Sequence, residues 1–197
     1  MLNLIKASER PWKLEGDIFQ ESNHISYWQE NTLGSFLAVL YITKLLLAVL
    51  FDESTLSLEY AATANDFYRH LTGEFQLSHF HCYRALAYLG ALKSPRIKSP
   101  KVNGQIDQQQ VDTLTQVAFD LESLKKFASH APMNFQHQVD LVQAEHYRVL
   151  GQRLKAMEAY DRAIAGANDN QFTQEEALAN ELAAQFYLDW GKEKVAA

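Results

Sequence analysis

Apolar residues recur along this chain at every third or fourth position, the spacing that gathers them on one face of an α-helix. The densest run, FLAVLYITKLLLAVLF from Phe36 to Phe51, is apolar on every side and predicts a buried helix ending near Asp52 and Glu53. It is shorter than the roughly 18 to 20 residues of a membrane span, and Lys44 sits at its centre. We therefore read it as a core helix. A second helix is predicted from about Ser54 to Leu71, broken by Gly73. A third runs from His79 to Leu92, with Tyr83, Leu86, Ala87 and Gly90 or Ala91 on one face. A long helix capped by Asp107 reaches about His130. Its apolar face is Val111, Leu114, Val117 or Ala118, Leu121, Leu124 and Ala128, and its polar face carries Asp112, Gln116, Asp120, Glu122 and Lys126. Pro132 ends that helix, and Asn134 restarts the next.

Near the C-terminus one pattern occurs twice, forty residues apart. Ala144, Tyr147, Gly151 and Ala156 return as Ala184, Tyr187, Gly191 and Ala196 with the same spacing. Glycine at the third place can take the positive φ that ends a helix, and the alanine beyond lets a second helix cross closely. Tyr160 and Ala163 extend the first copy on the same face as Ala156. A weaker copy stands earlier, with Asp52 where glycine would be, followed by Ser57, Ala61 and Ala64. A period of this size predicts stacked helix pairs, so the fold class is all-α, a tetratricopeptide-like α-solenoid of antiparallel helix pairs.

Composition narrows this picture. The 197 residues are 47% hydrophobic and 21% charged, with 4 Pro and 8 Gly, which suits an ordered helical chain of about four to five helix pairs. We read residues 1–197 as a single helical-repeat domain, with an irregular N-terminal part at 1–31 and a flexible loop at 93–106 between repeat groups. Trp12, Phe19, Tyr27 and Trp28 in the N-terminal part read as packing residues. Net charge of −6 disfavours a nucleic-acid surface. One cysteine, Cys82, and no apolar leader suit a reducing cytoplasm. The last helix pair looks cut at Val195, Ala196 and Ala197, leaving Phe186, Tyr187 and Trp190 without a covering helix. A truncated C-terminus and self-association through that face are the expectations.

Candidate chemistry is sparse. In HFHC, His79 and His81 lie about 200° apart on a helix and cannot share a metal, while His79 and Cys82 lack a second ligand pair. His24, His70, His130, His137 and His146 are scattered. Lys93, Arg96, Lys98 and Lys101 read as a solvated loop, and Ser94 and Ser99 as weak phosphate acceptors. Thr173 as N-cap with Glu175 and Glu176 in the first turn reads as helix-dipole complementation. No nucleotide-binding loop or kinase signature is present, so no catalytic, cofactor-binding or metal residue is assigned.

The stretch His130 to Lys194, above all AYDRAIAGA and EEALANELAA, resembles the helical region of large bacterial multi-sensor signal-transduction kinases. YITKLLLAVLFDESTLSLEYAATA, Tyr41 to Ala64, is similar to upstream repeats of that region, more loosely. Such proteins join a serine/threonine kinase domain and an AAA-type ATPase domain to this region, followed by sensor domains and often a histidine kinase. The resemblance implies a non-catalytic interaction and coupling module, a cytoplasmic fragment whose partners are a protein or neighbouring domains of the same polypeptide. No cofactor, membrane or nucleic acid enters that reading. A free-standing tetratricopeptide-like adaptor binding a peptide or protein is the alternative. A small helical enzyme using His79 or Cys82 ranks last.

Replacing Ala156 by leucine is expected to overpack the helix crossing and cost on the order of 1–3 kcal/mol. Chemical denaturation checks this, and an unchanged midpoint would count against the hairpin.

Overall fold

The computed structural model describes residues 10–16, 19–71, 74–92, 101–102, 105–106 and 108–192. These residues are all-helical apart from one two-residue ladder and an isolated bridge between Glu15 and Gln20. In chain order the helices are α1 Glu21–Glu30, α2 Gly34–Leu50, α3 Ser54–Phe67 with a 3-10 turn at Tyr68–His70, and α4 Glu74–Leu92. Strands β1 Lys101–Val102 and β2 Gln105–Ile106 pair antiparallel, and α5 Gln108–His130, α6 Pro132–Val149, α7 Arg153–Asp169 and α8 Thr173–Asp189 follow. The chain divides into two compact units, Met1–Ala87 and Tyr88–Ala197, with the division inside α4. None of the described helices is long and apolar enough to cross a membrane.

One connector geometry recurs. Thr32, Asp52, Gly151, Gln171 and Gly191 all take the left-handed conformation, with φ of 54°, 54°, 71°, 64° and 75°. At each, the next residue's N–H reaches back to a carbonyl five residues earlier: Leu33 to Trp28, Glu53 to Ala48, Gln152 to Tyr147, Phe172 to Ala167 and Lys192 to Tyr187. This is the Schellman ending, which satisfies carbonyls the helix leaves orphaned. Leu33, Glu53, Gln152 and Phe172 then share φ near −85° and ψ between 60° and 73°, and their carbonyls begin the next helix. Connectors this short turn each helix back onto its predecessor. The forty-residue sequence period is thus two twenty-residue steps, Gly151 to Gln171 to Gly191, and only its glycine ends are marked in the sequence.

In the first unit α2 packs on α1, α3 and the 3-10 turn. Ser57, Ala61 and Ala64 of α3 are buried, as their spacing predicts. Lys44 is buried too, with its Nζ 2.5 Å from Glu21 Oε1 and 4.8 Å from the Tyr60 ring centre. The Leu14 N–H donates to the other Glu21 oxygen at 2.9 Å. In the second unit α5 packs on α6, α6 on α7, and α7 on α8. Ala156, Ala159, Ala163 and Ala167 give α7 a flat, fully buried stripe, with Tyr160 as its one large side chain. At Gly166 a Cβ would stand 3.5 Å from that of His137 on α6, an ordinary van der Waals contact, so the helix approach there does not depend on glycine.

Several expectations need correcting. The Phe36–Phe51 helix is not buried all round, because Phe36 and Val39 are exposed. Continuous burial belongs to α4 instead, where every residue from Phe80 to Ala87 is buried. Arg84 is tolerated there because it donates to Asn65 Oδ1 at 2.6 Å and lies over the Phe80 ring. On α5, Val117, Leu121, Leu124 and Ala128 are buried as the periodicity predicts, but Val111 is exposed and Asp120, assigned to the polar face, is fully buried. Helix α3 ends at Phe67, short of Leu71, because the chain tightens into the 3-10 turn. Helix α5 ends at His130, before Pro132, as expected, but α6 opens at Pro132 and not at Asn134, since the proline's missing N–H falls where no partner exists. Thr173 is the first helical residue, with Phe172 as N-cap and no side-chain cap bond. Phe186 does not lack a partner: it is buried against Tyr160 and Trp190, with ring centres 5.4 and 5.6 Å apart. The expected breaks or caps at Gly73 and Asp107, most of the 93–106 loop, and the cut pair at Val195, Ala196 and Ala197 lie outside the described residues.

Gly151→Ala is expected to cost about 1–2 kcal/mol, because its neighbourhood is open and only the left-handed backbone resists a side chain. Gln171→Gly relieves the same strain and should gain up to about 1 kcal/mol after the added freedom of the unfolded chain. Urea denaturation of both variants checks the opposite signs.

Candidate functional site

Two concave features stand out among the described residues, one in each unit. In the second unit, α6 ends with Arg148 and Val149, α7 begins with Gly151 and Arg153, and the last turn of α8 brings Phe186, Asp189 and Trp190. Together they line a recess of about 300 Å³. The Schellman turn at Gly151 puts these ends together, because it folds the start of α7 back beside the end of α6.

A charged network forms one wall. Glu145 is 1% exposed and accepts hydrogen bonds from the Tyr160 hydroxyl and, at 3.3 Å, from Arg148 Nη1. Arg148 Nη1 also approaches the Leu182 carbonyl at 3.4 Å, while its Nη2 donates to Asp189 Oδ2 at 2.5 Å. One guanidinium thus joins α6 to α8 and, through Glu145, to Tyr160 of α7. Burial works against its charge, but Glu145 and Asp189 more than compensate and hold its pKa above the ordinary value. Burial first, and the Glu145 charge second, push the Tyr160 phenol far above its ordinary range, so it stays a donor. Outside the network, the Arg153 guanidinium and Lys192 Nζ each lie 5.5 Å from the Trp190 ring centre, and Lys155 Nζ lies 5.5 Å from that of Tyr147. Cations over indole and phenol faces bind and orient anionic or aromatic groups.

In the first unit, Phe19, His24, Trp28 and Phe36 form a ladder of near-parallel rings with centres 4.8, 5.4 and 5.5 Å apart. Beside it runs an apolar groove of about 410 Å³ flanked by Leu14 and Val39. Phe19 and Trp28 therefore pack as expected, whereas Tyr27 is 58% exposed.

The histidines named from sequence do not converge. His79 Nδ1 bonds the Phe75 carbonyl at 2.9 Å, Cys82 is buried, and His137 stacks on Phe172 at 4.5 Å. His146 stacks on Tyr147, and its burial lowers its pKa. Among the described residues, no three His, Cys, Asp or Glu side chains are grouped to hold a metal ion. Lys93, Arg96, Lys98, Ser94 and Ser99 lie outside the described residues. Sequence reading placed Tyr147 and Gly151 in the repeat and Trp190 on the uncovered C-terminal face, but missed Glu145, Arg148, Arg153 and Asp189. The one available signal was Glu145 and Arg148 at i, i+3, an acid and a base on an otherwise apolar turn. Comparison with protein-family models, curated proteins and solved structures gives no match.

The tyrosine gives a pH test. Because folding raises its pKa, Tyr160 contributes its full stability below the unfolded value near 10 and loses it as pH climbs above. Each proton so linked steepens the alkaline decline by about 1.4 kcal/mol per pH unit. Tyr41, Tyr60 and Tyr187 are raised as well and act in the same direction. Tyr160→Phe should cost about 1.5–3 kcal/mol at neutral pH and flatten the decline between pH 10 and 11.5, as read by urea titration at each pH.

Proposed function

We propose that this chain is a non-catalytic interaction and coupling module, built as a tetratricopeptide-like solenoid of antiparallel helix pairs. The supporting observation is the recurrence of one helix ending at Gly151, Gln171 and Gly191, a twenty-residue step whose first two turns set α7 against α6 and α8 against α7. A force applied to one helix of such a stack passes to the next through packed alanines and through Arg148, which holds α6 and α8 together. The segments AYDRAIAGA and EEALANELAA support placing the module within a cytoplasmic multi-sensor kinase, between an ATPase switch and downstream sensors. A second reading, a free-standing adaptor, gains from Phe186, whose burial supplies the packing that the sequence pattern left open.

A photoreactive amino acid placed at Leu154 or Leu188, which are 66% and 54% exposed, tests for a partner surface in cells. Discrete adducts to one or a few proteins, or to domains of the same polypeptide, are expected. Diffuse labelling, equal to that of a site placed at random, would refute an interaction module. Reading the DNA beside this coding region separates the two versions: an open frame into kinase, ATPase or sensor domains favours the first, and close start and stop signals the second.

A further inference from the structure

The chain carries a net charge of −6, yet Arg148 and Arg153 line one recess beside Trp190, and Lys192 shares the Trp190 ring with Arg153. The arrangement of Arg148 is uneven. Its side chain is only 11% exposed, whereas the Asp189 carboxylate on its outer nitrogen is 71% exposed. Glu145 neutralises the inner side of the same guanidinium and is itself held by Tyr160. Asp189 can therefore leave for water without stranding a buried charge, since its own desolvation is slight and Arg148 keeps its inner partner.

We propose that this recess docks an acidic, apolar-flanked segment of a protein partner, whose carboxylate takes the place of Asp189 on Arg148. This deepens the interaction-module reading and rests on it. Arg148 is already oriented by Glu145 and the Leu182 carbonyl on Nη1, so the partner's carboxylate meets a preorganised donor at Nη2. The apolar side chain beside it lies against the Trp190 indole, whose cations Arg153 and Lys192 face the partner's remaining acids. A volume of about 300 Å³ is at the small end of ligand pockets and suits one or two side chains of a strand or loop, not a folded surface. Exchange has a mechanical result: once Asp189 is displaced, the direct ion pair from Arg148 to α8 is gone, and only the Leu182 carbonyl contact remains.

The test uses the full chain and a short fluorescein-labelled peptide in which glutamate alternates with leucine, read by anisotropy. A peptide with lysine in place of glutamate and a dT10 oligonucleotide serve as controls. The acidic peptide is expected to bind, to weaken as salt is added, and to lose about fivefold or more in affinity in Arg153→Glu/Lys192→Glu. Both positions are exposed, so thermal melting should show that this variant keeps its fold. Asp189→Asn should bind the peptide more tightly, because Arg148 then lacks its internal carboxylate. Equal binding of the lysine peptide, tighter binding of the oligonucleotide, or an unaffected double variant would overturn the site. Unchanged or weaker binding by Asp189→Asn would overturn the exchange on Arg148. If adducts form at Leu154 or Leu188 while the acidic peptide fails, the recess assignment falls and the module reading stands.

Discussion

The helices joined by these tight connectors reverse direction within about three residues, and at each of these endings the backbone passes through the left-handed region. Five residues accept that conformation: Thr32, Asp52, Gly151, Gln171 and Gly191. Three of them carry a Cβ and so bear a strain of about 1–2 kcal/mol each, which packing on both sides must offset. The return in packing is a helix set against its predecessor, extensively at Asp52, Gly151 and Gln171. Small residues then decide how close the two axes come. Ala156, Ala159, Ala163 and Ala167 do this for α7, and Ser57, Ala61 and Ala64 for α3. Contacts made in this way are mainly between sequence neighbours, which is the condition for a helix array to respond stepwise.

Each unit also buries an ion pair, and each meets its desolvation cost by satisfying the surrounding atoms. Glu21 divides its two oxygens between Lys44 and the Leu14 amide. Glu145 divides its charge between a phenol and a guanidinium. Breaking one partner of such a pair exposes the other's cost, several kcal/mol in scale, so neither network tolerates piecemeal change. The two differ in access. Lys44 is shut in under Tyr60, whereas Arg148 ends at a recess with a well-solvated carboxylate as its outermost contact.

The helical class and much of the repeat were legible in the sequence because they depend on local spacing. Ala144, Ala156, Tyr160 and Ala163 are all buried at the positions the pattern assigns, and Gly151 carries the positive φ. Gln171 was not legible, because nothing in a glutamine announces a left-handed turn; only the tertiary fit of α7 to α8 selects it. Asp120 misled for a related reason: charge predicts exposure, but the tertiary fold buries this carboxylate completely. The recess escaped notice because its members, Arg148, Arg153 and Asp189, are spread over three helices and meet only after two reversals. Helix ends written by side-chain chemistry, such as Thr173 before two glutamates, misplaced the cap by one residue, since the backbone turn at Gln171 already fixes where α8 begins.

The pair between Lys44 and Glu21 has a consequence for alignment. Helix α2 is largely apolar, with Ser35, Thr43 and Lys44 as polar side chains, so hydrophobic burial distinguishes weakly between one axial offset along α1 and the next. Hydrophobicity alone would leave several axial offsets close in energy. A slip of one turn, however, carries Lys44 about 5.4 Å along the axis, beyond the reach of a direct bond from Glu21. Two buried charges would then stand apart, at a penalty of several kcal/mol. The ion pair thus acts as a key in a smooth shaft: it adds little grip, but it admits a single setting.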